Sequence, residues 1–135
     1  MSFTLIRSYK VGAAVDARGD EFKIAMMDAP VSGQPTVELS NLANVLGIGV
    51  IQDVGLGSVN QDVGVCVGGV CKVKLGAAFT AGTTRANFKS DANGLAIPAT
   101  DDDFSIGYLT FADKGAAYAS GDIVECVVAL SNKAT

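Results

Sequence analysis

Short runs rich in Val, Ile, Phe and Tyr recur along the chain, separated by clusters of Gly, Asn and Asp. Apolar runs of this length bounded by turn residues read as β-strands, and their regular spacing is that of a small barrel or sandwich. The pattern predicts strands over Phe3–Arg7, Phe22–Met26, Leu46–Ile51, Val63–Val67, Val70–Leu75, Asn87–Ser90, Ala96–Pro98, Ser105–Phe111 and Ile123–Leu130. Asp91-Ala92-Asn93-Gly94 separates two of these and reads as a turn in which Gly94 takes a positive φ. Gly68-Gly69 reads as a two-residue hairpin turn, which would set Cys66 opposite Cys71 across a strand pair. One helix is expected over Val37–Leu46, capped by Thr36 and ended by Gly47. The stretch from Asp28 to Pro35, with Pro30 and Pro35, reads as a loop. It divides residues 1–35, an N-terminal arm with the first strands, from a core over 36–135, in a single domain overall.

The strand pattern repeats. When the chain is shifted so that Leu46 lies on Ile106, the segment to Val67 aligns without a gap on the segment to Val127. Gly47 then meets Gly107, Asp53 meets Asp113, Gly55 meets Gly115, Asp62 meets Asp122 and Cys66 meets Cys126. The matches mark one strand, a Gly/Asp loop and a second strand, as an internally duplicated β-unit would. Two such units packed together can close a small barrel or sandwich, with Gly47 and Gly107 where strands bend or approach closely. Ala77-Ala78-Phe79-Thr80-Ala81-Gly82 is echoed by Ala116-Ala117-Tyr118-Ala119-Ser120-Gly121, an aromatic residue followed by a glycine turn.

Composition narrows the chemistry. The 135 residues include no His and no Trp, and 16 are Gly. Without imidazole there is no Ser-His-Asp or Cys-His nucleophile pair and no HExxH zinc helix. Charged residues make up 18% of the chain, against an ordinary share of ~25%. So little charge leaves much of the exterior neutral or apolar, which favours a subunit that buries part of its surface against other copies or another protein. The net charge of −4 comes with scattered basic residues, so no basic patch is available for nucleic acid. No apolar run reaches the ~20 residues of a membrane-spanning helix, and the first ten residues lack the apolar core of a secretory signal. The protein is therefore expected to work where it is made, or to leave the cell inside an assembly or after lysis.

The candidate sites are few. Cys66, Cys71 and Cys126 are an odd set with no fourth ligand for zinc, and are read as free buried thiols, with oxidation of a Cys66–Cys71 pair outside a reducing cell as the alternative. Asp101-Asp102-Asp103 with Asp91 is the densest carboxylate cluster, read as a solvated loop rather than a calcium or glycosidase site. Gly55-Leu-Gly-Ser58 and Gly64–Gly69 lack the lysine and helix context of a phosphate loop. Lys72 and Lys74 share one strand face, and Arg18-Gly19-Asp20 reads as a turn. No metal and no cofactor is expected. The N-terminal residues Phe3, Leu5, Ile6, Tyr9 and Val11 are apolar in a stretch too short to fold alone, and form the candidate partner interface. Two readings stay open for them: the first strand of the barrel, or an arm that adds a strand to a neighbour.

From Gly47 to Leu130 the sequence resembles the small capsid-decoration, or cement, proteins of tailed bacteriophages. The resemblance rests on Leu-Gly-Ile-Gly-Val (46–50), Gly-Gly-Val-Cys-Lys-Val (69–74), Phe-Thr-Ala-Gly (79–82), Ser-Asp-Ala-Asn-Gly-Leu-Ala (90–96), Ile-Gly-Tyr-Leu (106–109) and Ala-Ser-Gly-Asp-Ile-Val-Glu-Cys-Val-Val (119–128). These are turn and strand signals, and they cover about the last two-thirds of the chain. The resemblance implies a non-enzymatic virion protein, made in the host cytoplasm, that binds the outer surface of the capsid and stabilises the shell. Its implied partners are the major capsid protein and further copies of itself, most often as a trimer. A tail or baseplate β-module is the alternative, followed by a small ligand-binding protein that uses Asp101–Asp103.

Overall fold

The computed structural model describes residues 4–11, 21–31, 33–40, 47–53, 62–79, 86–99, 105–110 and 117–131. Within them the chain is all β: β1 (Thr4–Val11), β2 (Ile24–Val31), β3 (Gln34–Leu39), β4 (Gly49–Asp53), β5 (Asp62–Lys74), β6 (Ala86–Ser90), β7 (Ala96–Pro98), β8 (Ser105–Leu109) and β9 (Ile123–Ser131). These strands form one sheet in the order β1-β3-β2-β4-β5-β9-β8-β6-β7, and β1 also pairs with β5. That extra pairing closes the first five strands of the order into a ring. The mainly-β expectation therefore holds, in the form of a single sheet that curls back on itself at one end.

Two cores follow from this arrangement. The ring encloses Ala25, Val37, Ile51, Val63 and Val65, with Tyr9, Ile48 and Val67 packed against them. The second core collects Ile24, Val50 and Cys66 with Cys71, Val73, Leu75, Phe79, Phe88, Ile106, Leu109, Tyr118, Val124, Cys126 and Val128. Strand β5 serves both. Its first half pairs with β1 from Asp62 to Gly69 and with β4; its second half pairs with β9 from Gly69 to Lys74.

The strand changes partners at Gly69, whose φ of +87° lies in the left-handed region. Side chains alternate across a strand, so Cys66 and Cys71, five positions apart, would ordinarily face opposite sides. With the backbone turned at Gly69 both enter the same core. The expected Gly68-Gly69 hairpin is thus corrected. The glycine pair bends one continuous strand rather than reversing it, and the residue directly opposite Cys71 is Cys126, not Cys66.

The expected helix over Val37–Leu46 is also corrected. Residues 37–39 belong to β3, which pairs with β2 through Met27↔Val37 and Ala25↔Leu39; residues 41–46 lie outside the described part. Val37 is fully buried inside the ring, and burying a β-branched side chain against β2 outweighs a loose helical spacing. The expected loop from Asp28 to Pro35 is instead the end of β2, a turn at Gly33 and the start of β3. The expected boundary after residue 35 falls inside β3, and β1 belongs to the same sheet as the core.

The gap-free shift of the expected repeat does not carry β4 onto β8: it places Gly49–Asp53 on 109–113, whereas β8 is Ser105–Leu109. β4 with β5, and β8 with β9, are antiparallel pairs, and β5 joins β9 so that the two pairs stand side by side. A Cβ on Gly49 would lie 2.1 Å from the Cys66 carbonyl oxygen, and one on Gly107 would lie 2.0 Å from that of Val127. Gly49, rather than Gly47, thus matches Gly107 in its contacts with the neighbouring strand. Gly47 is itself tightly placed, with its Cβ position 2.6 Å from Ile24 Cγ2. The two aromatic echoes meet: Phe79 and Tyr118 form an antiparallel bridge, each N–H donating to the other's carbonyl at 3.0 and 2.9 Å. Asp91–Gly94 is the expected turn. Gly94 has a φ of +78°, and Asp91 Oδ1 accepts from the N–H groups of Asn93 and Leu95 at 2.8 and 2.9 Å.

Candidate functional site

Among the described residues, the N-terminal strand carries the two most exposed large apolar side chains, Leu5 and Ile6. β1 is held along β5 through Thr4↔Gly69, Leu5↔Gly68, Ile6↔Cys66 and on to Lys10↔Asp62, with a register shift between Leu5 and Ile6. Thr4 Oγ1 donates to the Val70 carbonyl, and Lys10 Nζ lies 3.0 Å from Asp62 Oδ1. An ion pair this exposed contributes at most about 1 kcal/mol, so it fixes register more than it stabilises.

From Thr4 to Ser8 every residue is exposed, including Leu5 and Ile6, each at 51%. The cause is the strand beneath. Leu5 is opposed by Gly68, and Ile6 Cγ2 stands 3.3 Å from where a Cβ on Gly64 would be; neither glycine offers a side chain to cover its neighbour. Burying the exposed half of each residue against a partner would release about 1 kcal/mol apiece.

Among the described residues, the second edge of β1 is paired only at its C-terminal end. β3 meets it in parallel only at Lys10↔Thr36 and Val11↔Val37. One step back along that register stands Pro35, which has no N–H to donate. The strands therefore part there, leaving a recess of about 280 Å³ lined by Arg7, Ser8, Tyr9, Lys10, Gln34, Pro35 and Asp62. The Arg7 guanidinium lies over the Tyr9 ring, 5.9 Å from its centroid. An open strand edge flanked by exposed apolar side chains is a template for pairing with another chain.

The five residues singled out from sequence thus separate. Leu5 and Ile6 are exposed, Tyr9 packs against the ring core, and Val11 pairs with Val37. Phe3 lies outside the described residues. As a strand of the ring, β1 takes the first of the two readings left open above, and its free edge keeps the second available. Sequence reasoning missed Met27, Ile123 and Leu130, exposed at 45, 46 and 44%. Ile123 lies on the face of β9 opposite buried Val124, Cys126 and Val128. Met27 instead shares its parity with buried Ala25, and Leu130 with Val124, Cys126 and Val128, so strand alternation does not foretell their exposure.

The three thiols form a separate chemical cluster. All are free and buried, and Cys71 Sγ lies 3.6 Å from Cys126 Sγ. Cys66 Sγ donates to the Gly68 carbonyl at 3.5 Å. The neighbouring Cys71 thiol and then burial push the Cys66 thiol far above its ordinary pKa. Cys71 is pushed up likewise, by Cys126 first and burial next, although Cys66 opposes the shift.

Among the described residues no group of three or more His, Cys, Asp or Glu is arranged to hold a metal ion. Asp101–Asp103, Gly55–Ser58 and Arg18–Asp20 lie outside them. Lys72 is exposed and opposes Glu125 in the β5–β9 register, and the Gln52 side chain bonds both the Lys72 carbonyl and its N–H, at 2.8 and 3.2 Å. No helix among the described residues is long and apolar enough to cross a membrane.

A solved structure shares this fold. It is the N base of the head fiber gp8.5 in bacteriophage phi29, with a TM-score of 0.66 over 93% of this chain and 95% of that one, at 17% sequence identity. No protein-family model and no curated protein matches the sequence. At 93% of the chain, the likeness reaches well beyond Gly47–Leu130.

Proposed function

We propose that this chain is a non-enzymatic structural protein of a phage virion, seated on the outer surface of the head through the exposed side of β1. The observation that carries this reading is the shared fold with a phage head-fiber base across nearly the whole of both chains. Supporting it are the exposed apolar pair Leu5 and Ile6, the open edge beside them, and the low share of charge. In this reading the major capsid protein is the partner of β1, and copies of the chain associate with one another, a trimer being the favoured assembly. Each copy spans a joint between shell subunits and adds free energy to closing it, over an interface on the scale of ~1,600 Å². The same surface suits a cement role or the foot of a fibre, since both need a rigid base on the shell.

The test is addition of purified protein to heads assembled without it. The protein is expected to be oligomeric alone, to sediment with the heads and to raise the temperature at which they burst. The double variant Leu5→Ser with Ile6→Ser should fold with nearly unchanged stability, since both side chains are already half-exposed, yet lose at least tenfold in head affinity. Heads that are equally robust without the protein and do not rebind it would contradict the reading.

A further inference from the structure

Cys71 and Cys126 stand directly opposite one another where β5 pairs with β9. Opposed residues of antiparallel strands keep their Cα atoms about 4.5–5.5 Å apart, inside the ~4.4–6.8 Å window of disulfides. Their sulfurs are 3.6 Å apart, so rotation of the two side chains can close the gap without moving either strand. Cys66, the third thiol, lies on the same strand as Cys71, and its own partners across the sheet are Ile6 and Val50.

We propose that Cys71 and Cys126 are a latent covalent cross-link, held as two thiols in a reducing compartment and joined as a disulfide in an oxidising one. The oxidant is a low-molecular-weight disulfide of the glutathione class. One cysteine thiolate attacks a sulfur of the oxidant and expels one small thiolate. The other cysteine then attacks the protein-bound sulfur and expels the second. Two protein thiols give up two protons and two electrons, and the oxidant leaves as two thiols. The bond ties the strand that closes the ring to the first strand of the second half. The cross-linked residues lie 55 positions apart, a loop long enough for the constraint on the unfolded chain to be substantial. Because both sulfurs are buried, and the neighbouring Cys126 thiol and burial keep the Cys71 thiol protonated, closure is slow and follows local opening. The cross-link stands on the strand register and the separation of the two sulfurs. Its timing, open during assembly in the cytoplasm and closed after release from the cell, rests on the virion reading.

The test uses the purified full chain, independent of any head. It is incubated with oxidised glutathione in low urea, which keeps the chain folded by circular dichroism but makes local opening more frequent. The expected result is a mass lower by two hydrogens and a peptide map joining Cys71 to Cys126. After unfolding, Cys66 alone should remain alkylatable, and the melting temperature should rise by roughly 10 °C. Cys66→Ser should form the same bond, whereas Cys71→Ser and Cys126→Ser should not gain the thermal increment. A Cys66–Cys71 link, glutathione adducts without a cross-link, or an unchanged mass would each overturn the proposal. A failure of the chain to bind heads would leave the cross-link intact and count only against the virion reading.

Discussion

At the scale of single residues, the tightest constraints are where backbones touch. Gly107 and Gly49 each sit against a neighbouring strand's carbonyl, at 2.0 and 2.1 Å from the position of an added Cβ. Gly107→Ala or Gly49→Ala must push the strands apart, at a cost of about 2–3 kcal/mol in urea unfolding. Gly64→Ala meets the Ile6 Cγ2 methyl at 3.3 Å and Asp53 Cβ at 3.4 Å, side-chain atoms that can give by a few tenths of an ångström, and should cost about 1 kcal/mol. The thiols make a second prediction. Cys66 and Cys71 stay protonated in the folded chain, whereas in the unfolded chain they ionise near 9.0. Their stabilising effect is fully present below that pH. Above it the unfolded chain binds fewer protons, so stability falls as pH rises, by about 1.4 kcal/mol per pH unit for each thiol. Urea midpoints measured from about pH 8 to pH 10 should show this slope, and Cys66→Ala should lessen it by one thiol's share.

At the scale of elements, what could be read from the chain was what is decided locally. Ala96–Pro98 is a strand with the expected limits, the strand beginning at Ile123 ends one residue later than expected, and Asp91–Gly94 is the expected turn. In each, turn chemistry and apolar runs act within a few residues. The errors arose where one local signal serves two geometries. A Gly-Gly pair between apolar runs can reverse a strand or bend it, because both need a glycine at positive φ. Only the pairing with β1 and β9 decides, and Leu5↔Gly68 and Val70↔Val127 join residues far apart in sequence. The same holds for Val37, whose apolar spacing fits a helix until β2 is laid beside it. For the site, exposed Leu5 and Ile6 were legible as apolar residues in an N-terminal stretch. Their exposure was not, since it depends on Gly64 and Gly68 of a strand some sixty residues away. The bend gives its own prediction. Gly69→Ala places a side chain at a φ of +87°, costing about 1–2 kcal/mol. It should also loosen the Cys71–Cys126 pair, read as faster alkylation of both thiols in the folded chain.

At the scale of the whole molecule, one sheet is divided between two tasks. The five-stranded ring presents β1, with its open edge and exposed apolar pair, while β9, β8, β6 and β7 build the larger core behind it. β5 runs unbroken from the exposed strand to the second core and so joins the two parts of the sheet. The shortage of charge takes on meaning here as well. Surface that carries few charges is surface that other subunits can cover without desolvating ions. An acidic chain is also suited to the outside of a particle, away from the packaged nucleic acid. The most direct test of the central claim is a cryo-electron-microscopy map of purified particles that carry this protein. The account predicts density for the nine-stranded sheet on the outer face of the head, with Leu5 and Ile6 turned against shell subunits. Density on the tail or baseplate, inside the shell, or on the head with β1 facing solvent would contradict it.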